Sequence, residues 1–383
     1  EIKKIEKKPT ENLEAYNYYL QGNYYYWRSG DSGDYKTAIE LYEKAIGLDP
    51  GFAVAFTGIA NCLVDLSWNY NDHGDDNLRK SKLAIDKAFE IDPNLPEAHI
   101  ALGNYYYHGF LNYNEALKQF ELVLKDQPKN PDIMYWLAAV HRRTGNWEMA
   151  KSESEKSVEL NPGRSDMAND AGLTFYLLRD YSKAEEYYNM SIMLQPDWNY
   201  PYFLLSRMFL RKEGDMRKTR EILGNAARNN KNSIYDSLII ETNFLIDIYE
   251  AKSEEALKNL SLLKDDDVIQ TQFYFRPKYL YYATIYGLMD RHELEHSYYD
   301  SAFKFLEKRI IDFPEDQRLY SSLGIAFAGL GLDDKAISAG EKAVKLLPVS
   351  KEAYRGPYLV EDLAHIYVMV GKYDDAIKQI KYL

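Results

Sequence analysis

At 383 residues the chain is longer than one globular core usually sustains, so it holds either several domains or a stack of repeats. Apolar residues make up 46%, which is enough to build a core and too many for a disordered chain. The net charge of −12 repels phosphate backbones and argues against nucleic acid as a partner; the single cysteine, Cys62, rules out an internal disulfide framework and a thiolate-rich metal site. No run of about 18 apolar residues offers direct membrane insertion.

In chain order, residues 1–11 (EIKKIEKKPTE) are charged and read as a linker from an upstream module, the mark of a cut inside a longer protein. Residues 12–196 read as five regular helical hairpins. Prolines that close second helices fall at Pro128, Pro162 and Pro196, each 34 residues after the last, and Ala116, Ala150 and Ala184 keep the same beat. From Pro50 to Pro93 is 43 residues, nine above that period, and the excess is assigned to an inter-helix loop at 68–76 (WNYNDHGDD). Between Pro196 and Pro314 stand 118 residues where three periods need 102, so 197–313 reads as three irregular hairpins. Residues 314–383 hold two more, with Pro314 and Pro348 again 34 apart. The six surplus residues between Ala336 and Ala376 lie in EAYRGPYLV (352–360). The last helix leaves Ile377 and Ile380 uncovered and reads as truncated.

Within the period, small, aromatic and alanine positions recur in order: Leu102-Gly103, Tyr106, Ala116, Phe120 and Pro128, then Ala171-Gly172, Phe175, Ala184, Tyr188 and Pro196. A third set is Leu323-Gly324, Phe327, Ala336, Ala343 and Pro348. This pattern resembles the tetratricopeptide repeat. The resemblance implies an all-α fold, a right-handed superhelical solenoid of about ten helix-turn-helix hairpins. Glycine inside a helix costs about 1 kcal/mol relative to alanine. Gly103, Gly172 and Gly324 are therefore expected to be buried where the second helix of their own or the preceding hairpin approaches closely.

Three stretches, KKPTENLEAYNYYLQGNYYYW (7–27), AIELYEKAIGLDPGFAVAFTGIANC (38–62) and LLPVSKEAYRGPYLVEDLAHIYVMVGKYDDAI (346–377), together with FYFRPKYLYYATIYGLMD, support a narrower resemblance. They are similar to the C-terminal repeat region of bacterial signalling proteins, where it follows a nucleotide-cyclase, Ser/Thr-kinase or winged-helix module and often a TolB-like segment. That resemblance implies a regulatory or sensory array in signal transduction. It carries no catalytic residue over, because the effector modules are not in this sequence. The implied compartment is cytoplasmic, or periplasmic if a transmembrane helix precedes the segment.

Candidate chemistry is sparse. His292-Glu293-Leu294-Glu295-His296 matches the HExxH pattern of zinc proteases. It lies at the start of a second helix, ten residues before Ala302, and no third ligand or cleft is indicated. The other histidines (His73, His99, His108, His141, His365) are dispersed. GLGLDDKA (329–336) reads as a turn between helices, and the acidic runs Asp72–Asp76 and Asp265–Asp267 read as solvated loops. No catalytic residue, metal or cofactor is expected, and the chain reads as a non-enzymatic scaffold for protein–protein interaction.

Binding residues are expected on the concave face made by first helices. Taking Gly22, Ala60 and Gly103 as the small-residue position, the next residue in each is asparagine: Asn23, Asn61 and Asn104. Stacked amides offer donors and acceptors that pair with the backbone of an extended peptide. Tyr26 and Tyr107, three residues further on, and Tyr176 would add apolar contacts, and Arg142 and Arg207 would favour an acidic partner. A protein or peptide is the expected ligand. The alternatives are a homo-oligomerisation module built on 197–313 or the chain end, and a small-ligand sensor that uses the 35 tyrosines.

Overall fold

In the computed structural model, which describes residues 9–28, 32–70, 75–264 and 268–383, helices begin where the sequence supplies an oxygen to their free N–H groups. Asn12 Oδ1 accepts from the Glu14 and Ala15 amides, and Asn112, Asn130, Asp180, Asp215, Asp236 and Asp316 do the same for later helices. The turn inside a hairpin needs one residue in the left-handed region. Gly145, Gly214, Gly331 and Gly371 meet that need without strain, while Leu111, Arg179, Ala251 and Asp290 accept it at φ of 52–61°.

Twenty α-helices follow one another among the described residues, read in pairs as ten hairpins. The first three pairs are α1 (Leu13–Arg28) with α2 (Ser32–Leu48), α3 (Ala53–Tyr70) with α4 (Asp75–Ile91), and α5 (Pro96–Asn104) with α6 (Tyr113–Asp126). Then come α7 (Pro131–Thr144) with α8 (Trp147–Leu160), α9 (Ser165–Leu177) with α10 (Tyr181–Leu194), and α11 (Asn199–Glu213) with α12 (Met216–Asn229). The seventh and eighth pairs are α13 (Ser237–Tyr249) with α14 (Ser253–Leu260), and α15 (Lys278–Leu288) with α16 (His292–Asp312). Last are α17 (Gln317–Gly329) with α18 (Asp333–Leu346), and α19 (Gly356–Met369) with α20 (Tyr373–Tyr382). The fold is an all-α helical-repeat array.

Packing divides the chain into two compact lobes: an N-terminal lobe of residues 1–140 with 159–161, and a C-terminal lobe of 141–158 with 162–383. In the N-terminal lobe the Tyr42 ring from α2 lies between two glycines. A Cβ on Gly22 of α1 would stand 2.5 Å from that ring, and one on Gly58 of α3 would stand 2.6 Å from it. Gly103 faces Phe120 of its own second helix in the same way. In the C-terminal lobe Gly172 faces Tyr188 of α10, while Gly324 faces Ile366 of α19 first and the backbone of α18 next. Gly103 and Gly172 are therefore against the second helix of their own hairpin as the repeat pattern expects, and Gly324 meets its own second helix together with Ile366 of the next hairpin. Gly172→Leu should overpack Tyr188 and cost about 1–3 kcal/mol in a urea melt. A midpoint like the parent's would mean that the ring steps aside freely.

Four departures from the sequence reading have physical causes. The linker reading of 1–11 ends too late, because Thr10 is buried and donates to Asp49 at 2.5 Å, and residues 1–8 lie outside the described part. The loop expected at 68–76 is mostly helix: α3 continues through Tyr70 and α4 begins at Asp75, so longer helices absorb the surplus. Residues 71–74, and the acidic run 265–267, lie outside the described residues. Pro93 and Pro128 are 35 apart, one above the period, and a π-turn at Tyr105–Gly109 that prolongs α5 takes up the extra residue. The irregular stretch also contains strands. Here β1 (Val268–Gln270) and β2 (Phe275–Pro277) pair antiparallel, with Ile269 opposite Arg276.

Candidate functional site

In the N-terminal lobe first helices touch from α1 to α3 and from α3 to α5, so the residues after the small-residue positions of hairpins one to three are brought side by side. In the N-terminal lobe Asn23 is half-buried and accepts from the Tyr42 hydroxyl at 2.8 Å. Asn104 Nδ2 donates to Asn61 Oδ1 at 3.3 Å, which joins two of the three predicted amides directly. Asn104 itself is only 2% exposed. Tyr26 and Tyr107 were expected to line the open face, and here the structure differs. Tyr26 is buried and donates to Asp65 Oδ2 at 2.8 Å. Tyr107 is buried among Trp68, Tyr113 and Trp136. The π-turn explains the second case: its extra residue turns Tyr107 into the core and gives the place beyond Asn104 to His108.

That substitution builds a cluster the sequence reading missed. His108 Nδ1 lies 3.1 Å from Asp65 Oδ1, and its ring stacks on Trp68 with centroids 4.6 Å apart and planes 12° apart. Asp65 thus joins Tyr26 of hairpin one to His108 of hairpin three. The signal was present in the spacing, because Asp65 and His108 each stand four residues after a predicted asparagine.

In the C-terminal lobe the chain fills its own first-helix face. Arg142 is buried and grips Asp170 with both Nη atoms at 2.6 Å, while Nη1 also donates to Thr174 at 2.7 Å. Its neighbour Arg143 donates to Glu352 Oε2 at 3.1 Å and to the Gln272 side chain. Arg355 Nε donates to the same Glu352 oxygen at 2.9 Å, and the Ala353 amide donates to the Arg143 carbonyl at 2.9 Å. Phe273 stacks on Tyr358 at 4.3 Å and meets Tyr354 edge-on at 4.9 Å. Both segments that break the repeat period, 268–277 and 347–355, therefore meet at Arg143. The preference for an acidic partner read from Arg142 needs correction, since Asp170 already neutralises that guanidinium. Tyr176 accepts from Arg211 at 3.2 Å, and Arg207 has a buried Nη1 with no hydrogen-bond acceptor among the described residues. Burial pushes the Tyr200 phenol up to about 12 and the Tyr354 phenol well above its ordinary value.

The HExxH histidines stand apart from both faces. His292 and His296 are exposed at the start of α16, and His292 Nδ1 turns to Glu295 at 2.9 Å, which raises its pKa. Among the described residues no group of three His, Cys, Asp or Glu side chains is placed to hold a metal ion.

With this geometry in place, comparison with known proteins gives a consistent result. Two models described as "Tetratricopeptide repeat" match residues 15–52 and 105–153. The Hsp70-Hsp90 organizing protein of Triticum aestivum is 24% identical over 167 residues, 44% of this chain and 26% of that protein. Anaphase-promoting complex subunit 3 of Schizosaccharomyces pombe is 23% identical over 110 residues, 29% of this chain and 16% of that protein. The chain thus spans about a quarter or less of the length of these relatives. Among solved structures, Pseudomonas aeruginosa PilF aligns with a TM-score of 0.41 at 18% identity, covering 54% of this chain and 90% of its own. With glycines seated against a second-helix ring in hairpins one, three and five, and family models matching the first and third to fourth hairpins, the chain carries tetratricopeptide repeats within its all-α helical-repeat array.

Proposed function

We propose that this array is a non-catalytic protein-interaction scaffold whose N-terminal lobe receives an extended peptide on its first-helix face, within a regulatory region of a bacterial signalling protein. The observation that carries this reading is the amide row. Asn61 and Asn104 are already linked, and Asn23 and Asn61 stay half-buried beside the buried Asn104. An amide that solvent reaches can pair with a peptide N–H or C=O without any reading of side chains. The C-terminal lobe supports the assignment by contrast, since Arg142, Arg143 and Glu352 are spent on contacts within the chain.

The test is a peptide selected from a random library on the full chain. Its affinity for Asn61→Ala/Asn104→Ala should fall about ten- to a hundredfold, the loss of two net hydrogen bonds at about 0.5–1.5 kcal/mol each. The thermal midpoint should move little. Unchanged affinity with an intact fold would place the binding site elsewhere.

A further inference from the structure

Hairpin nine receives the next first helix in the groove between its own two helices. There α19 packs on α17 and α18, and Ile366 comes against both Gly324 and Gly340. On hairpin ten the equivalent groove is open, a cavity of about 650 Å³. Its floor is made of small residues, Ala364 of α19 and Ala376 of α20, and its walls are Val368, Tyr373, Ile377 and Ile380. Each wall residue is about half or more exposed. Single exposed apolar side chains are ordinary, whereas a contiguous set that lines one groove marks an interaction surface.

The charges on α20 say what fits that groove. Asp374 and Asp375 stand in its first turn, with Lys378 and Lys381 toward its end. Such an order answers the helix macrodipole. Asp375 also pairs with Lys378 at 2.7 Å in an exposed bridge one turn long, but Asp374 and Lys381 have no ion-pair or hydrogen-bond partner among the described residues. A helix that is acidic at one end, basic at the other and apolar along one side is complementary to itself when turned around. About a two-fold axis at Lys378, Asp375 of each copy comes opposite Lys381 of the other, with Ala376 opposite Ile380 and Tyr373 opposite Leu383.

We propose that hairpin ten is a dimerisation surface, on which α20 of a second copy lies antiparallel to α20 in the groove between α19 and α20. The contact is isologous: each copy supplies one helix and receives one, so the assembly closes at two chains. Burial of the apolar walls supplies the attraction. The crossed acid and base ends set the antiparallel sense and disfavour a helix laid the other way round. This goes beyond the peptide reading and does not rest on it, because that face belongs to the N-terminal lobe.

The measurement is sedimentation equilibrium of the full chain at about 0.15 M salt, where distant charges are screened and close pairs still act. The parent should be dimeric at about 100 μM and monomeric at about 0.1 μM, the micromolar strength of a small apolar contact. Ile377→Glu/Ile380→Glu should weaken the dimer at least about a hundredfold and leave monomer throughout that range. The control Leu13→Glu/Leu20→Glu puts the same charges on exposed apolar positions of α1 and should leave the dimer intact. Asp374→Lys/Asp375→Lys and Lys378→Glu/Lys381→Glu should each be monomeric alone and pair when mixed. Circular dichroism checks that every variant stays folded. A parent that is monomeric at about 100 μM overturns the proposal, as does a dimer that survives Ile377→Glu/Ile380→Glu. An equal loss in the α1 control would mean general adhesion of apolar surface and overturn it too. Failure of the two charge-changed variants to pair when mixed would exclude α20 as its own partner.

Discussion

Glu352→Ala should destabilise the C-terminal lobe by about 3–5 kcal/mol, the usual loss when one member of a buried ion pair is removed. Glu352 is 0% exposed, and its carboxylate receives both Arg143 and Arg355. Without it, two guanidinium groups lie in a low-dielectric interior with their shared anion gone. Gln272 still accepts from Arg143, so the penalty falls short of a bare buried charge. The measurement is urea unfolding followed by far-ultraviolet circular dichroism. Arg143→Met/Glu352→Leu should recover much of the loss, because replacing a buried pair by apolar groups of like size is often neutral. A loss below about 1 kcal/mol for Glu352→Ala, the level of a surface pair, would show that the interior is wet and the clasp weak.

Alkali should unfold the protein cooperatively as pH rises from about 10 to about 12, the interval over which an exposed phenol has ionised and a buried one has not. Burial pushes the phenols of Tyr26, Tyr188, Tyr274, Tyr281 and Tyr354 well above their ordinary value. Tyr367 is pushed up to about 12, first by burial and then by its hydrogen bond to Glu341. Folded-state values are raised, so their contribution is complete below the unfolded value near 10. It is lost as pH climbs from there toward the folded value, because the unfolded chain releases its protons first. A single phenol offset by about two units accounts for about 2–3 kcal/mol. Several together exceed the stability of a typical domain. Tyrosinate absorbance and loss of helix should therefore rise together. Ionisation of these phenols with the helices intact would show that they are less enclosed than the packing implies.

The repeat was legible because its rules are local. Gly172 and Tyr188 stand one helix apart, and their size complementarity recurs at Gly103 with Phe120, so spacing alone exposes the contact. The meeting of Asn61 with Asn104 was legible for the same reason, and Asp65 and His108 could have been found one turn beyond it. Tyr107 was misplaced because a single extra residue in α5 rotates everything after it, and composition gives no sign of a π-turn. The filling of the C-terminal lobe was not legible at all. Residues 268–277 and 347–355 carry no period, and nothing in the sequence near Arg143 points to a carboxylate 209 positions away. Arg142 was read as a groove residue because its partner, Asp170, sits 28 residues on, out of step with the 34-residue beat.

Stacked hairpins that touch only their neighbours can begin folding anywhere and spread in either direction. The Arg143–Glu352 pair spans 209 residues, and a contact of that separation can form only after the intervening hairpins have brought its ends together. On a ribosome the delay is longer still. At about 5–20 residues per second, roughly 10–40 s separate the synthesis of Arg143 from that of Glu352. Hairpin four is thus made early and finished late, with its arginine held in water until the ninth hairpin has passed and the segment carrying Glu352 arrives.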